Sequence, residues 1–300
     1  MSHRQAIVFE GAEGNRLVGD LYEPAAPGGP VALLLHGGGQ TRHAWRGTER
    51  RLADHGYVAI AYDQRGHGDS DWPTSGRYAF DDYAQDLTAV ADQVEARWHR
   101  RPIVIGASLG GIAGMLAEGE ADRPILAGLV LVDVTPRMDP EGVAKVLGFM
   151  GDRIEDGFAT IEEAADAIAA YLPNRTRPTS LEGLRKNLRH HPDGRWRWHW
   201  DPRFLKPPGP PQDTTARRIA AARNLRIPTL LVRGRQSELV SEEHVAEFMR
   251  LVPHAAFADV SGAGHMVAGD RNDVFAAAVL RFLEATFPVG GTAPEPAPAG

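Results

Sequence analysis

Short, nearly continuous apolar runs recur along this chain at Val31–Leu35, Tyr57–Tyr62, Ile103–Ile105, Gly128–Val134, Thr229–Val232 and Ala255–Val260. A strand reads this way when both of its faces are covered, because no alternate position is left for solvent. Between the runs lie segments with helical spacing: Ala44–His55, Asp82–Trp98, Ile112–Glu118, Glu242–Leu251 and Val274–Phe287. The alternation predicts an α/β protein, a mostly parallel, doubly wound sheet with helices on both sides. Ahead of it, Gln5–Glu23 alternates apolar and polar residues around the turn-prone Gly11–Asn15, which predicts an antiparallel hairpin.

The rhythm breaks once. From residue 136 to residue 223 no strand pattern stands out, whereas Ile161–Tyr171 and Leu181–Leu188 carry helical spacing. An excursion this long between two sheet strands is expected to be an inserted helical cap, with residues 1–135 and 224–288 forming the core. Within it, Trp196, Trp198, His199 and Trp200 precede the proline-rich Pro207–Pro211. Residues 289–300 are small residues, proline and one glutamate, and are expected to be disordered.

Composition excludes several kinds of chemistry. The chain has no cysteine, so disulfides, thiolate catalysis and cysteine-ligated metals are ruled out, and a reducing compartment suits it. A net charge of -6 and the lack of a basic stripe argue against a nucleic-acid partner. No apolar run approaches the roughly 20 residues of a membrane span, and Met1–Glu10 holds no apolar signal segment. No metal-ligand spacing such as HExxH occurs. The expectation is a cytoplasmic monomer or homodimer that acts on a small molecule without a cofactor or metal.

The chemistry concentrates at Gly106-Ala107-Ser108-Leu109-Gly110, directly after the run Ile103–Ile105 and at the start of a helical segment. Small residues around the serine permit a sharp strand-to-helix turn that lifts its oxygen clear of the sheet, the context of a nucleophile elbow. A serine hydroxyl needs a base at neutral pH. Of the twelve histidines, His265 fits best: it lies in the small-residue loop Gly262–Met266, just past the last predicted strand and at the carboxyl edge of the sheet. The acid that orients it is expected at Glu238, beyond the run Thr229–Val232, which places serine, acid and histidine in that chain order. Asp133, at the end of an earlier run, is the alternative. Two amides must hold an oxyanion: Leu109, after the serine, and Gly38 in His36-Gly37-Gly38-Gly39, with Gly37 in reserve. His36 is expected to anchor that loop.

Together with Asp63-Gln64-Arg65-Gly66-His67-Gly68-Asp69-Ser70, these motifs resemble the α/β-hydrolase fold superfamily, in its serine-nucleophile esterase and haloperoxidase-like branch. The resemblance implies an eight-stranded, mostly parallel sheet with an inserted cap, and assigns the Asp63–Ser70 turn a structural role held by Asp63 and Arg65. It implies acyl transfer through Ser108, carboxylesterase-like, on an ester, lactone or similar bond. Many relatives carry the acid one residue before Glu238, where this chain has Ser237. Arg42, His43, Trp198 and Trp200 are candidate substrate contacts, although the tryptophans at 196, 198 and 200 suit burying one face of the cap equally well and Trp45 suits packing on the sheet better than touching substrate; an uncharged, moderately apolar substrate is expected. Alternatives on the same framework are a cofactor-free perhydrolase and a ligand receptor with an idle triad.

Overall fold

A computed structural model describes residues 4–26, 28–172, 181–206, 214–270 and 272–291. The chain opens with β1 (Arg4–Glu10) and β2 (Arg16–Tyr22), paired antiparallel as the alternating pattern predicts. Then come β3 (Val31–Leu35), a 3₁₀ turn at Arg42–Trp45, α1 (Arg46–Asp54), β4 (Val58–Tyr62), α2 (Phe80–Trp98), β5 (Ile103–Ala107), α3 (Leu109–Gly119) and β6 (Gly128–Val132). An insertion follows, holding α4 (Pro140–Gly151), α5 (Ile161–Tyr171), α6 (Glu182–Arg185), β7 (Leu188–His190), β8 (Trp196–Trp198) and a 3₁₀ turn at Pro202–Leu205. The chain returns through α7 (Thr215–Asn224), β9 (Thr229–Gly234), α8 (Glu242–Leu251), β10 (Ala256–Val260), α9 (Val267–Asp270) and α10 (Asn272–Thr286).

Eight strands form one sheet in the order β1-β2-β4-β3-β5-β6-β9-β10. From β4 to β10 every neighbouring pair is parallel. The apolar runs split by parity into two cores. Leu33, Leu35, Val104, Leu129 and Leu131 face one cluster with Leu87 and Val90 of α2 and Ile112 and Met115 of α3. Leu34, Ile103, Ile105, Val130 and Val132 face the other, with Leu52 of α1 and Phe275, Val279 and Leu283 of α10. Each fully buried side chain of this kind contributes about 1.5–3 kcal/mol, so a one-residue register slip that moved a strand's whole set to the wrong layer is strongly opposed.

The insertion departs from expectation in two ways. It is not wholly helical: β7 and β8 form an antiparallel hairpin that pairs Leu188 with Trp198 and His190 with Trp196. Trp198 and Trp200 are buried in a separate apolar cluster with Met150, Phe158 and Leu188. The period-two spacing of these tryptophans was the strand signal, in runs too short to stand out from their neighbours. In addition, α7, which the expected boundary at residue 223 assigns to the cap, lies against α3 and buries Ala221 and Ala222 in the main core. Pro207–Pro211 and residues 292–300 lie outside the described residues.

Candidate active site

Ser108 occupies the single residue between β5 and α3, with φ 45° and ψ -110°. That conformation costs a non-glycine residue on the order of 1–3 kcal/mol, and close packing on both sides enforces it. A Cβ on Gly106 would stand 2.5 Å from the backbone of Gly110, and one on Gly110 would stand 2.5 Å from the Leu35 Cβ. Only glycine lets strand and helix meet this tightly. The turn leaves Ser108 partly exposed at the floor of a cavity of about 570 Å³, which His265, Gly38 and Leu109 also line.

His265 arrives on the loop after β10. Its position is set from behind: Arg235 N–H donates to Val260 O at 3.0 Å and Gln236 N–H to Ala263 O at 2.8 Å. Gly234 packs so closely there that a Cβ would come within 2.2 Å of Gly264 O. His265 Nδ1 lies 2.7 Å from Asp133 Oδ2. A carboxylate only accepts, so Nδ1 carries the proton and Nε2 keeps its lone pair.

The carboxylate that pairs with His265 is therefore Asp133, and not Glu238 as the sequence leads one to expect. Asp133 follows β6 with φ 51° and is fully buried. Its carboxylate accepts from the Gly234 N–H at 3.0 Å and from the Ser237 hydroxyl at 2.5 Å, besides His265. Because β6 and β9 are neighbours, the end of β6 reaches the histidine directly. The loop after β9 turns Ser237, rather than Glu238, toward that point. The Glu238 side chain is 31% exposed, with its carboxylate 4.0 Å from the Lys145 ammonium.

The His36–Gly39 loop leaves one amide open. Gly37 N–H donates to the Gln40 side chain at 3.0 Å and Gly39 N–H to His67 Nε2 at 3.1 Å. No acceptor engages the Gly38 N–H among the described residues. Leu109, as the first residue of α3, has an N–H without an intrahelical partner. These are the two amides expected from the sequence, and both border the cavity.

Three buried histidines fasten this loop, and sequence reasoning saw only His36. His36 Nε2 accepts from Gln64 N–H at 3.0 Å, while its Nδ1 donates to Gly37 O at 2.8 Å. His67 accepts from Gly39 N–H and donates through Nδ1 to Arg65 O at 2.9 Å. His199, from the insertion, accepts from Gly68 N–H at 2.8 Å and faces Gly39 O at 3.3 Å through Nε2. Each ring thus meets one donor and one acceptor, which only a neutral imidazole satisfies. Burial accordingly lowers His36 to about 4 and His67 to about 3, with the neighbouring His36 adding to the shift of His67, and drives His199 well below its ordinary value. The glycine-flanked His67 and the His199 between two tryptophans were the available hints.

Of the expected substrate contacts, His43, Trp198 and Trp200 line the cavity. Trp198 and Trp200 stack with centroids 5.0 Å apart and planes 9° from parallel. Trp45 both lines the cavity and packs on Phe275 at 5.8 Å. Arg42 does not belong with them. Its guanidinium is buried against Asp63, with Asp69 at 2.8 Å and Asp20 at 3.3 Å, so its charge is consumed in the fold. Asp63 holds the turn by accepting from the N–H groups of Arg42 at 2.7 Å and Asp69 at 2.9 Å. Arg65 ties it to α2 through two 2.7 Å bonds to Asp86.

An elbow of this shape, on a sheet of this strand order, defines a class of protein. The chain belongs to the alpha/beta hydrolase family, whose model matches residues 32–278. It is 30% identical over 253 residues to the esterase Rv0045c of Mycobacterium tuberculosis, covering 81% of this chain and 78% of that one. It is also 30% identical over 271 residues to a 2-(acetamidomethylene)succinate hydrolase of Mesorhizobium japonicum, covering 86% and 89%. The crystal structure of an E-2-(acetamidomethylene)succinate hydrolase matches with a TM-score of 0.76 at 26% identity, over 94% of this chain and 100% of that one. No described helix is long and apolar enough to cross a membrane.

Proposed function

We propose that the protein is a serine hydrolase that cleaves ester-type bonds of small acyl substrates through an acyl-enzyme on Ser108. The observation that carries this reading is the 2.7 Å pairing of His265 Nδ1 with the buried Asp133, which leaves Nε2 as a base in the cavity that Ser108 lines. The relatives named above, an esterase and a hydrolase, support the reaction class.

In the first step His265 Nε2 takes the Ser108 proton as the serine oxygen attacks the substrate carbonyl. Charge develops on the carbonyl oxygen, and the Gly38 and Leu109 N–H groups receive it without reorganising. Asp133 stabilises the imidazolium and holds its orientation. The bond to the leaving alkoxide breaks, and His265 returns the proton to it. Water, deprotonated by the same Nε2, then attacks the acyl-Ser108 carbonyl; the acid leaves and the serine recovers its proton. The largely apolar cavity strengthens each of these interactions by excluding solvent.

A panel of p-nitrophenyl esters from acetate to decanoate, assayed with wild type and Ser108→Ala, tests the reading. Turnover that disappears in the variant supports it, and the preferred chain length measures the cavity. Hydrolysis that persists at the wild-type rate in Ser108→Ala would overturn it.

A further inference from the structure

One part of the cavity is not explained by a neutral substrate. Arg46, the first residue of α1, lines it one helical turn beyond Arg42. Arg42 is surrounded by three aspartates, whereas Arg46 has no carboxylate within 4.0 Å among the described residues. Its Nε is buried with no hydrogen-bond partner and its Nη2 lies 3.4 Å from His43 Nδ1, while the Glu49 carboxyl that feels its charge is pushed well above the ordinary carboxyl range by burial. A half-buried guanidinium with no carboxylate at ion-pair distance among the described residues is an unfavourable arrangement that a bound anion would relieve.

The surroundings have the same bias. Lys186, from the inserted segment, lines the same cavity with no ion pair, and no aspartate or glutamate lines it, among the described residues. Beside it, Thr41 donates to Asn187 Oδ1 at 3.3 Å, which occupies one acceptor position of that amide oxygen. The Trp198 and Trp200 indole N–H groups are buried without acceptors. The cavity therefore combines an apolar body with an excess of donors and positive charge, and its complement is an apolar molecule that carries an anionic acceptor.

We propose that Arg46 and Lys186 form an anion-reading subsite, and that the preferred substrate carries a free carboxylate in addition to its scissile ester-type bond. Arg46 supplies the planar fork suited to a carboxylate, and Lys186, from the inserted segment, a second positive charge on the same cavity. The inference rests on the serine-hydrolase reading above and replaces the uncharged substrate expected from the tryptophans alone.

Two substrate pairs test it by placing the charge on either side of the scissile bond: p-nitrophenyl hydrogen glutarate against p-nitrophenyl butyrate, and 4-carboxyphenyl butyrate against phenyl butyrate. The expected result is a kcat/KM ratio favouring the charged member of at least one pair by about tenfold to a hundredfold, the range of a charge-assisted contact. That ratio should collapse in Arg46→Met, mainly through KM, and recover in part in Arg46→Lys. Calorimetric titration of glutarate into Ser108→Ala, with and without Arg46→Met, reads the subsite without turnover. Arg46-dependent glutarate binding by a protein that cleaves none of the esters would keep the subsite and remove the hydrolase reading. Turnover of the neutral esters with no charged preference, or a preference that survives Arg46→Met, would overturn the subsite and leave the hydrolase reading in place.

Discussion

Ser237 donates its hydroxyl to Asp133 at 2.5 Å, on the same carboxylate oxygen that accepts His265. Ser237, one residue before the expected Glu238, supports a carboxylate delivered from the end of β6. The buried carboxylate thus has three donors, and its orientation is fixed before substrate arrives.

Asp133→Asn should therefore lower kcat by about three to four orders of magnitude, since an amide no longer fixes the productive histidine tautomer. Glu238→Gln should stay within about twofold of wild type, as a half-exposed carboxylate outside the hydrogen-bonded set. Steady-state ester hydrolysis by the two variants checks the assignment, and the reverse ranking would restore Glu238.

The elbow predicts a stability effect. Gly110→Ala places a methyl group 2.5 Å from the Leu35 Cβ and 2.7 Å from the Leu35 carbonyl oxygen, so strand and helix must separate. A loss of about 1–3 kcal/mol is expected for overpacking of this kind, read as a lower denaturant midpoint together with reduced activity. A variant as stable as wild type would show that the elbow yields.

How much of this was legible in the sequence differs by residue. The strands from Val31 to Val232 were readable because burial on both faces leaves continuous apolar runs, and the Ser108 turn because its requirement for small neighbours is local. Asp133 and Glu238 could not be ranked the same way. The choice depends on β6 and β9 being neighbours and on the positive φ of Asp133, neither of which leaves a local pattern. Arg42 and Arg46 differ by one helical turn, and only the packed positions of Asp20, Asp63 and Asp69 decide which of them is neutralised. The β7–β8 hairpin escaped because strands of three residues offer too little periodicity.

The buried histidines predict an acid-sensitive fold. His36 and His67 titrate near 4 and 3 in the folded protein and near 6.5 when unfolded. The unfolded chain binds more protons in that window, so their contribution is complete above about pH 6.5 and is lost as pH falls toward 4 and then 3. Each contributes a slope of up to about 1.4 kcal/mol per pH unit. Urea unfolding of wild type and His67→Gln between pH 7 and 4 measures the difference, and the variant should show the shallower loss. Equal slopes would contradict the neutral-imidazole assignment.

His199 joins the insertion to the His36–Gly39 loop through Gly68 N–H and Gly39 O. His199→Ala leaves a buried N–H without an acceptor, at a cost of about 1–3 kcal/mol, and loosens Gly39 next to the open Gly38 amide. A fall in kcat of about tenfold with a smaller change in KM is expected, short of the loss of about a hundredfold or more that follows removal of an oxyanion donor. A change confined to KM would assign His199 to substrate binding instead.

A Ser108 nucleophile activated through His265 and Asp133 should show itself in covalent labelling. Its most direct test is the rate and site of labelling by a fluorophosphonate, followed by intact mass and peptide mapping. One adduct per chain is expected, located on Ser108, absent from Ser108→Ala and formed far more slowly in Asp133→Asn. An adduct on another residue, or labelling of Ser108 at an unchanged rate in Asp133→Asn, would contradict it.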